Sequence, residues 1–267
     1  MNNEQEIQIR LKEYLQKNQE KQLETISWFD DRFYKILTDK IEFYPSVTTI
    51  LGITNKPWLT KWYADLGYEV AKYRSKQAAI KGSLIHESIY RLKAGHELYY
   101  EEFVQEVWLQ IYNYTLYIEN LKPKFLANEM TVFSHTNKIA GTLDELVRIQ
   151  EGEYNTGFSK PIKLVGGNYV GDIKSGNEDN KTYFKQLSAY VKCVEEMGLC
   201  QVDGAFIIYT NSTTKQGWKL EFINKQEIEY YYDIFLACLK VYNDSNTDKP
   251  VVRELPRIIR LGVNDDK

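Results

Sequence analysis

The sequence predicts a mixed α/β fold with a central mixed β-sheet flanked by helices, and three observations carry that reading. Residues 127–133, 138–149 and 162–174 read as strands bounded by turn residues. Helical periodicity brackets this block, in 58–93 and 100–121 before it and in 180–197 and 225–243 after it. The 267 residues, 43% of them hydrophobic, suffice for one sizeable core.

Taken in order, residues 5–24 are rich in Glu, Gln and Lys, with Ile7, Leu11, Leu15 and Leu23 at a period near four, which predicts a solvated helix. Residues 26–43 alternate apolar and polar around Asp30-Asp31, like a hairpin. Together, residues 1–43 read as an N-terminal helix-and-hairpin appendage to a domain spanning 44–267. In Tyr44-Pro45-Ser46-Val47-Thr48-Thr49-Ile50-Leu51-Gly52, proline keeps Tyr44 extended and Ser46 is placed to cap a short helix ending at Gly52. Ser46 either caps alone or also touches a phosphate through its hydroxyl or the neighbouring amides. In the helical stretch from Trp58 to Lys93, Gly82, His86 and either Ile89 or Tyr90 share one face. A further helix runs from Tyr100 to Leu121 and stops at Lys122-Pro123.

The central block carries the chemistry. In Tyr169-Val170-Gly171-Asp172-Ile173-Lys174, Asp172 and Lys174 share a strand face while Ile173 turns the other way into a core. Strand 138–149 and strand 162–174, joined by the polar loop 150–160, pair so that Asp144 faces Asp172 when the turn centres on Phe158. Strand 127–133 pairs with the same central strand across the turn Ser134-His135-Thr136-Asn137, and Glu129 then faces Asp144. Three carboxylates line up on one sheet face with Lys174 beside them. Like charges opposite one another destabilise a sheet, so the row calls for a cation. An acid that holds a divalent metal next to an ammonium that steadies a water or a developing phosphorane charge suits phosphodiester hydrolysis. After the sheet come a helix over 180–197, which places Gln186 and Tyr190 on one face with Lys181 or Lys185 near the same end, then strands 203–210 and 218–222 and an amphipathic helix 225–243.

Composition narrows the classes. Three cysteines, Cys193, Cys200 and Cys238, supply neither a disulfide framework nor a four-cysteine metal or iron-sulfur site. A net charge of −3 argues against bulk electrostatic wrapping of duplex DNA, while 21 tyrosines suit stacking on single strands in a narrow channel. No apolar run approaches membrane-spanning length, and the N-terminus is neither a secretory signal nor an Arg-rich transit peptide, so a cytoplasmic setting without membrane contact is expected.

The order His86, Glu129, Gly141-x-x-Asp144, Asp172-x-Lys174, Gln186-x-x-x-Tyr190 resembles the PD-(D/E)xK nuclease superfamily in its RecB-like exonuclease branch. With Tyr44-Pro45-Ser46-Val47-Thr48-Thr49-Ile50-Leu51 upstream, it looks most like the phage and mitochondrial genome maintenance exonuclease group, over roughly residues 44 to 195. The resemblance implies a restriction-endonuclease-like core and a DNA exonuclease dependent on Mg²⁺ or Mn²⁺, serving replication, recombination or repair in a bacterial or phage-infected cell, with a helicase or recombination partner. It implies His86, Asp144, Asp172 and the Ile173 backbone carbonyl as metal ligands. Lys174 positions or deprotonates the water, and Glu129 binds a second metal or orders water. Gln186 and Tyr190 border the site and orient DNA or the lysine, with Lys185 and Ser46 toward the substrate. The nitrogen of His86 among carboxylates favours Mn²⁺ over Mg²⁺. Substrate is expected to be single-stranded DNA threaded from a free end beneath helices 46–121. An endonuclease of the same fold and a catalytically silent nucleic-acid-binding relative stay open as alternatives.

Overall fold

The computed structural model describes residues 3–21, 24–28, 31–54, 57–158, 160–176, 181–245 and 250. Helix α1 (Asn3–Lys21) leads into three short strands, β1 (Thr25–Trp28), β2 (Asp31–Leu37) and β3 (Ile41–Pro45). The short helix α2 (Val47–Leu51) and helices α3 (Pro57–Leu66), α4 (Tyr68–Lys93) and α5 (Gln105–Leu121) follow. Then come β4 (Lys124–Ser134), β5 (Ile139–Ile149), β6 (Gly152–Tyr154), β7 (Ile162–Leu164), β8 (Gly167–Lys174), α6 (Thr182–Glu196), β9 (Gly204–Tyr209), β10 (Lys219–Asn224) and α7 (Lys225–Ser245).

The central sheet has five strands in the order β10-β9-β8-β5-β4. Only β8 and β9 run parallel, and a parallel pair needs a long crossover, which α6 supplies. Every residue of β8 except Lys174 is buried, as expected of a strand covered on both faces. Helices α6 and α7, with α1 and α2, bury one face through Leu187, Val191, Phe235, Ile50 and Leu11. Helices α4 and α5 bury the other through Ile85, Ile89, Ile111, Tyr114 and Tyr117. The fold class read from the sequence is therefore the one the chain adopts.

Register follows the expected pairing. Glu145 faces Gly171 in β5/β8, and Asn128 faces Glu145 in β4/β5, the registers that set Asp144 opposite Asp172 and Glu129 opposite Asp144. The 150–160 loop is an extension of the same hairpin, since β6 and β7 form a two-stranded sheet in line with it. The strand expected over 162–174 breaks at Val165-Gly166 to make this possible.

Several elements differ from the sequence reading. The helical stretch read over 58–93 is divided into α3 and α4 at Gly67, which takes a left-handed φ of 78° between them. The helix expected from Tyr100 begins with a 3₁₀ turn, Tyr100–Glu102, and restarts at Gln105 after two extended residues. Residues 25–45 form three strands where one hairpin was expected. Helix α1 is solvated on one side and docked on the other: Ile7 and Leu11 join the main core, Tyr14 donates to the Thr131 carbonyl at 2.6 Å, and Arg10 reaches the Gly198 carbonyl at 3.0 Å. Strands β2 and β3 also dock on β5, with Tyr34 and Tyr44 packed on Ala140 and Tyr34 Oη 3.0 Å from Thr142 Oγ1. Residues before 44 thus share cores with the rest, where the sequence reading set them apart as an appendage. The tail beyond Pro250 lies outside the described residues.

Candidate metal centre

The middle of the sheet gathers most of the expected residues. His86, on α4, places Nδ1 3.6 Å from Asp144 Oδ1 and 4.0 Å from Glu129 Oε1. Together the three offer ligand atoms all within 4.8 Å of one another, the spacing of donors around one cation. Helical geometry delivers His86 because Ile85 and Ile89 anchor α4 in the core while the imidazole between them stays half-buried.

Asp144 is fixed from behind: its Oδ2 accepts the Ile173 backbone N–H at 2.7 Å, which leaves Oδ1 toward His86. The Ile173 backbone meets the site through this N–H, and its side chain is buried in the core beneath α4 and α5. Glu129 sits at a gap in the ladder, since Asn128 and Met130 pair with β5 but the Glu129/Asp144 pair is missing. Its φ of +47° lies in the left-handed region, strained for a non-glycine residue and a frequent mark of a functional position. Glu129 keeps about a third of its side chain exposed, yet partial loss of solvent, then the Asp144 charge, raises its carboxyl to about 7, against the pull of His86 and Lys93.

Asp172 and Lys174 stand beside this trio. Lys174 Nζ lies 2.6 Å from Asp172 Oδ2 and over the Tyr183 ring at 4.6 Å. Asp172 is 2% exposed, and burial raises its carboxyl, opposed by Lys174 and reinforced by Asp144. Burial works against the Lys174 ammonium, but Asp172 and then Asp144 outweigh it and hold the amine above its ordinary value. Gln186 Nε2 donates to Asp172 Oδ1 at 3.1 Å and to Tyr190 Oη at 3.2 Å. Asp172 Oδ2 is engaged by the Lys174 ammonium, its one partner among the described residues.

The Gly141-x-x-Asp144 spacing also has a steric basis. A Cβ on Gly141 would lie 3.0 Å from Tyr190 Cζ and Oη and nearer still to Cε1, so only glycine lets that ring lie across β5. The Tyr190 ring in turn holds Gln186 against Asp172.

Three expectations are corrected by this geometry. Glu129, expected at a second metal or an ordered water, converges with His86 and Asp144 because the left-handed turn re-aims it. Asp172, expected in the first ligand set, is not one of the three converging donors, because Lys174 and Gln186 engage it. Ser46 caps α2 as expected, accepting from Thr49 N–H at 2.9 Å, but it is buried and its hydroxyl also meets Thr48 Oγ1 and Thr49 Oγ1, which commits it to the cap. Lys185 is half-buried on α6, with no ion pair among the described residues.

The sequence reading missed a buried network next to the trio. Glu145, fully buried, pairs with Lys93 Nζ at 2.8 Å and accepts from the hydroxyls of Tyr114 and, at 2.9 Å, Tyr117. The available signal was an acid at 145 in an alternation whose later members, Val147 and Ile149, are core residues.

No family model matches the chain, and no curated protein matches it. Among solved structures, one described as "Crystal structure of SSO0001" aligns at 13% identity with a TM-score of 0.35, over 89% of this chain and 86% of that one. A superposition that loose bears on neither site nor chemistry. Among the described residues, no helix is long and apolar enough to cross a membrane.

Proposed function

We propose that this chain is a divalent-metal-dependent nuclease of the PD-(D/E)xK type, acting on single-stranded DNA from a free end. The observation that carries the reading is the convergence of His86, Glu129 and Asp144 within 4.8 Å, with the Asp172–Lys174 pair beside them. One imidazole and two carboxylates suit Mn²⁺ or Mg²⁺, and their three donor atoms already lie within 4.8 Å of one another. A cation held there supplies Lewis-acid polarisation of a phosphoryl oxygen and acidifies a water.

The chain's own groups do the rest. Lys174, kept protonated by Asp172, orients the attacking water and offsets charge on the phosphoryl oxygens. Gln186 and Tyr190 keep Asp172 aimed at the site, and the Ile173 N–H keeps Asp144 aimed. Single strands are favoured by the surface leading to His86. Residues 72–80 of α4 are exposed all round and carry Lys72, Arg74 and Lys76, which make no ion pairs among the described residues, and Tyr73 stands exposed for stacking, whereas Tyr68 already stacks on Tyr63 beneath Lys72.

The test is degradation of end-labelled single strands with Mn²⁺, Mg²⁺ or chelator. Metal-dependent shortening of the linear strand, with the same strand protected when circularised, is the expected result. No cleavage of either form with either metal would overturn the proposal. Rapid cutting of the circle would replace the exonuclease with an endonuclease.

A further inference from the structure

We infer that Glu145 and Lys93 are positioning residues for the metal centre, setting His86 against Asp144. The inference rests on the metal-centre reading above and concerns how the trio is held. Lys93 and His86 are seven residues apart on α4, close to two full turns, so they project from one side of the helix. Glu145 and Asp144 are neighbours on β5. The 2.8 Å Lys93–Glu145 pair therefore joins the two elements that carry the nitrogen donor and one of the carboxylates.

The pair is built as a fixed joint. Its side chains are 6% and 0% exposed, so water does not compete for either charge. Both Glu145 oxygens are occupied, Oε1 by Lys93 and Tyr114 and Oε2 by Tyr117. The Lys93 ammonium lies over the rings of Tyr114 at 5.4 Å and Phe125 at 5.2 Å, so it is held from α5 and β4 as well. A buried ion pair gives little net stability over apolar residues of similar size. Its value here lies in direction: it fixes the rotation and the longitudinal setting of α4, and with them the 3.6 Å approach of His86 Nδ1 to Asp144.

Calorimetric titration of the full chain with Mn²⁺ alone tests this, beside thermal melts. The double variant Lys93→Met/Glu145→Gln removes both charges together, so folding is retained while Mn²⁺ affinity falls about tenfold, the low end for losing a group that orients a ligand. In a His86→Ala background the same double change alters affinity by less than about twofold, because the residue it positions is gone. Unchanged affinity in the folded double variant overturns the inference. So does an equal loss with and without His86, which marks a general structural effect. Should the double variant fail to fold, Tyr117→Phe deletes one donor to Glu145 and keeps every charge. A fall of about threefold that vanishes without His86 then supports the inference, and an unchanged value overturns it. A wild-type chain that binds no Mn²⁺ overturns the metal centre and this inference with it, whereas wild-type binding with unaffected variants overturns the inference alone.

Discussion

Replacing Gly141 by alanine tests the architecture of the site at one atom. Gly141 pairs with Val132 in the ladder, and the Tyr190 ring lies over it. The added methyl would stand 3.0 Å from Tyr190 Cζ and Oη and closer to Cε1, whereas carbon pairs rest near 3.5–4.0 Å. Tyr190 is itself buried, so the ring must shift by about 1–1.5 Å against packed neighbours, the Cε1 contact setting the distance. Overpacking of this kind costs about 1–3 kcal/mol, and the lower chain entropy of alanine returns about 0.4–1. A net loss of about 1–2 kcal/mol lowers Tm by about 2–8 °C in a chain of this size. The shift also moves the Tyr190 hydroxyl away from Gln186, whose amide holds Asp172, so Mn²⁺-dependent cleavage falls with stability. Thermal melts of Gly141→Ala in wild-type and Tyr190→Leu backgrounds are the assay, since the loss should vanish once the ring is gone. A Gly141→Ala protein that melts within about 1 °C of wild type would refute the steric account.

Other consequences follow from the same geometry. Lys174→Ala should leave Mn²⁺ binding within a few-fold while cleavage falls by about 10² or more, and near-wild-type cleavage would remove Lys174 from the chemistry. Asp144→Asn keeps an acceptor for the Ile173 N–H but drops the shared charge, so Mn²⁺ affinity should fall by more than about tenfold on calorimetry. Glu129 titrates near 7 in the fold against an ordinary 4.5, so its ionisation opposes folding fully above the folded value and not at all below the unfolded one. Metal-free Glu129→Gln should therefore melt higher than wild type at about pH 8 and equally at about pH 4, with Mn²⁺ reversing the order at the higher pH. An equal difference at both pH values would show that the side chain acts through packing instead of charge.

The sequence by itself determined the fold class and the strand registers. Strand β8 is buried on both faces, so a one-residue slip would exchange the side chains that meet α6 with those that meet α4 and α5 and turn Asp172 away from the site. The placement of Glu129, Asp144 and Asp172 on adjacent strands followed from that register, while Ser46 as a cap and Gln186 and Tyr190 on one side of α6 followed from capping chemistry and the helical period. What only the tertiary structure decided were contacts between segments with no local period in common. The left-handed turn at Glu129 brings that carboxylate to His86, and the sequence holds no glycine or asparagine there to announce it. The docking of α1 was hidden because two apolar residues, Ile7 and Leu11, on a charged helix look solvated until a sheet face is offered to them. Glu145 read as one more acid on β5, and its role emerged only where α4 and α5 deliver a lysine and two phenols to it in a space closed to water. Local pattern fixes which side chains share a face, and burial of that face selects the partners across it.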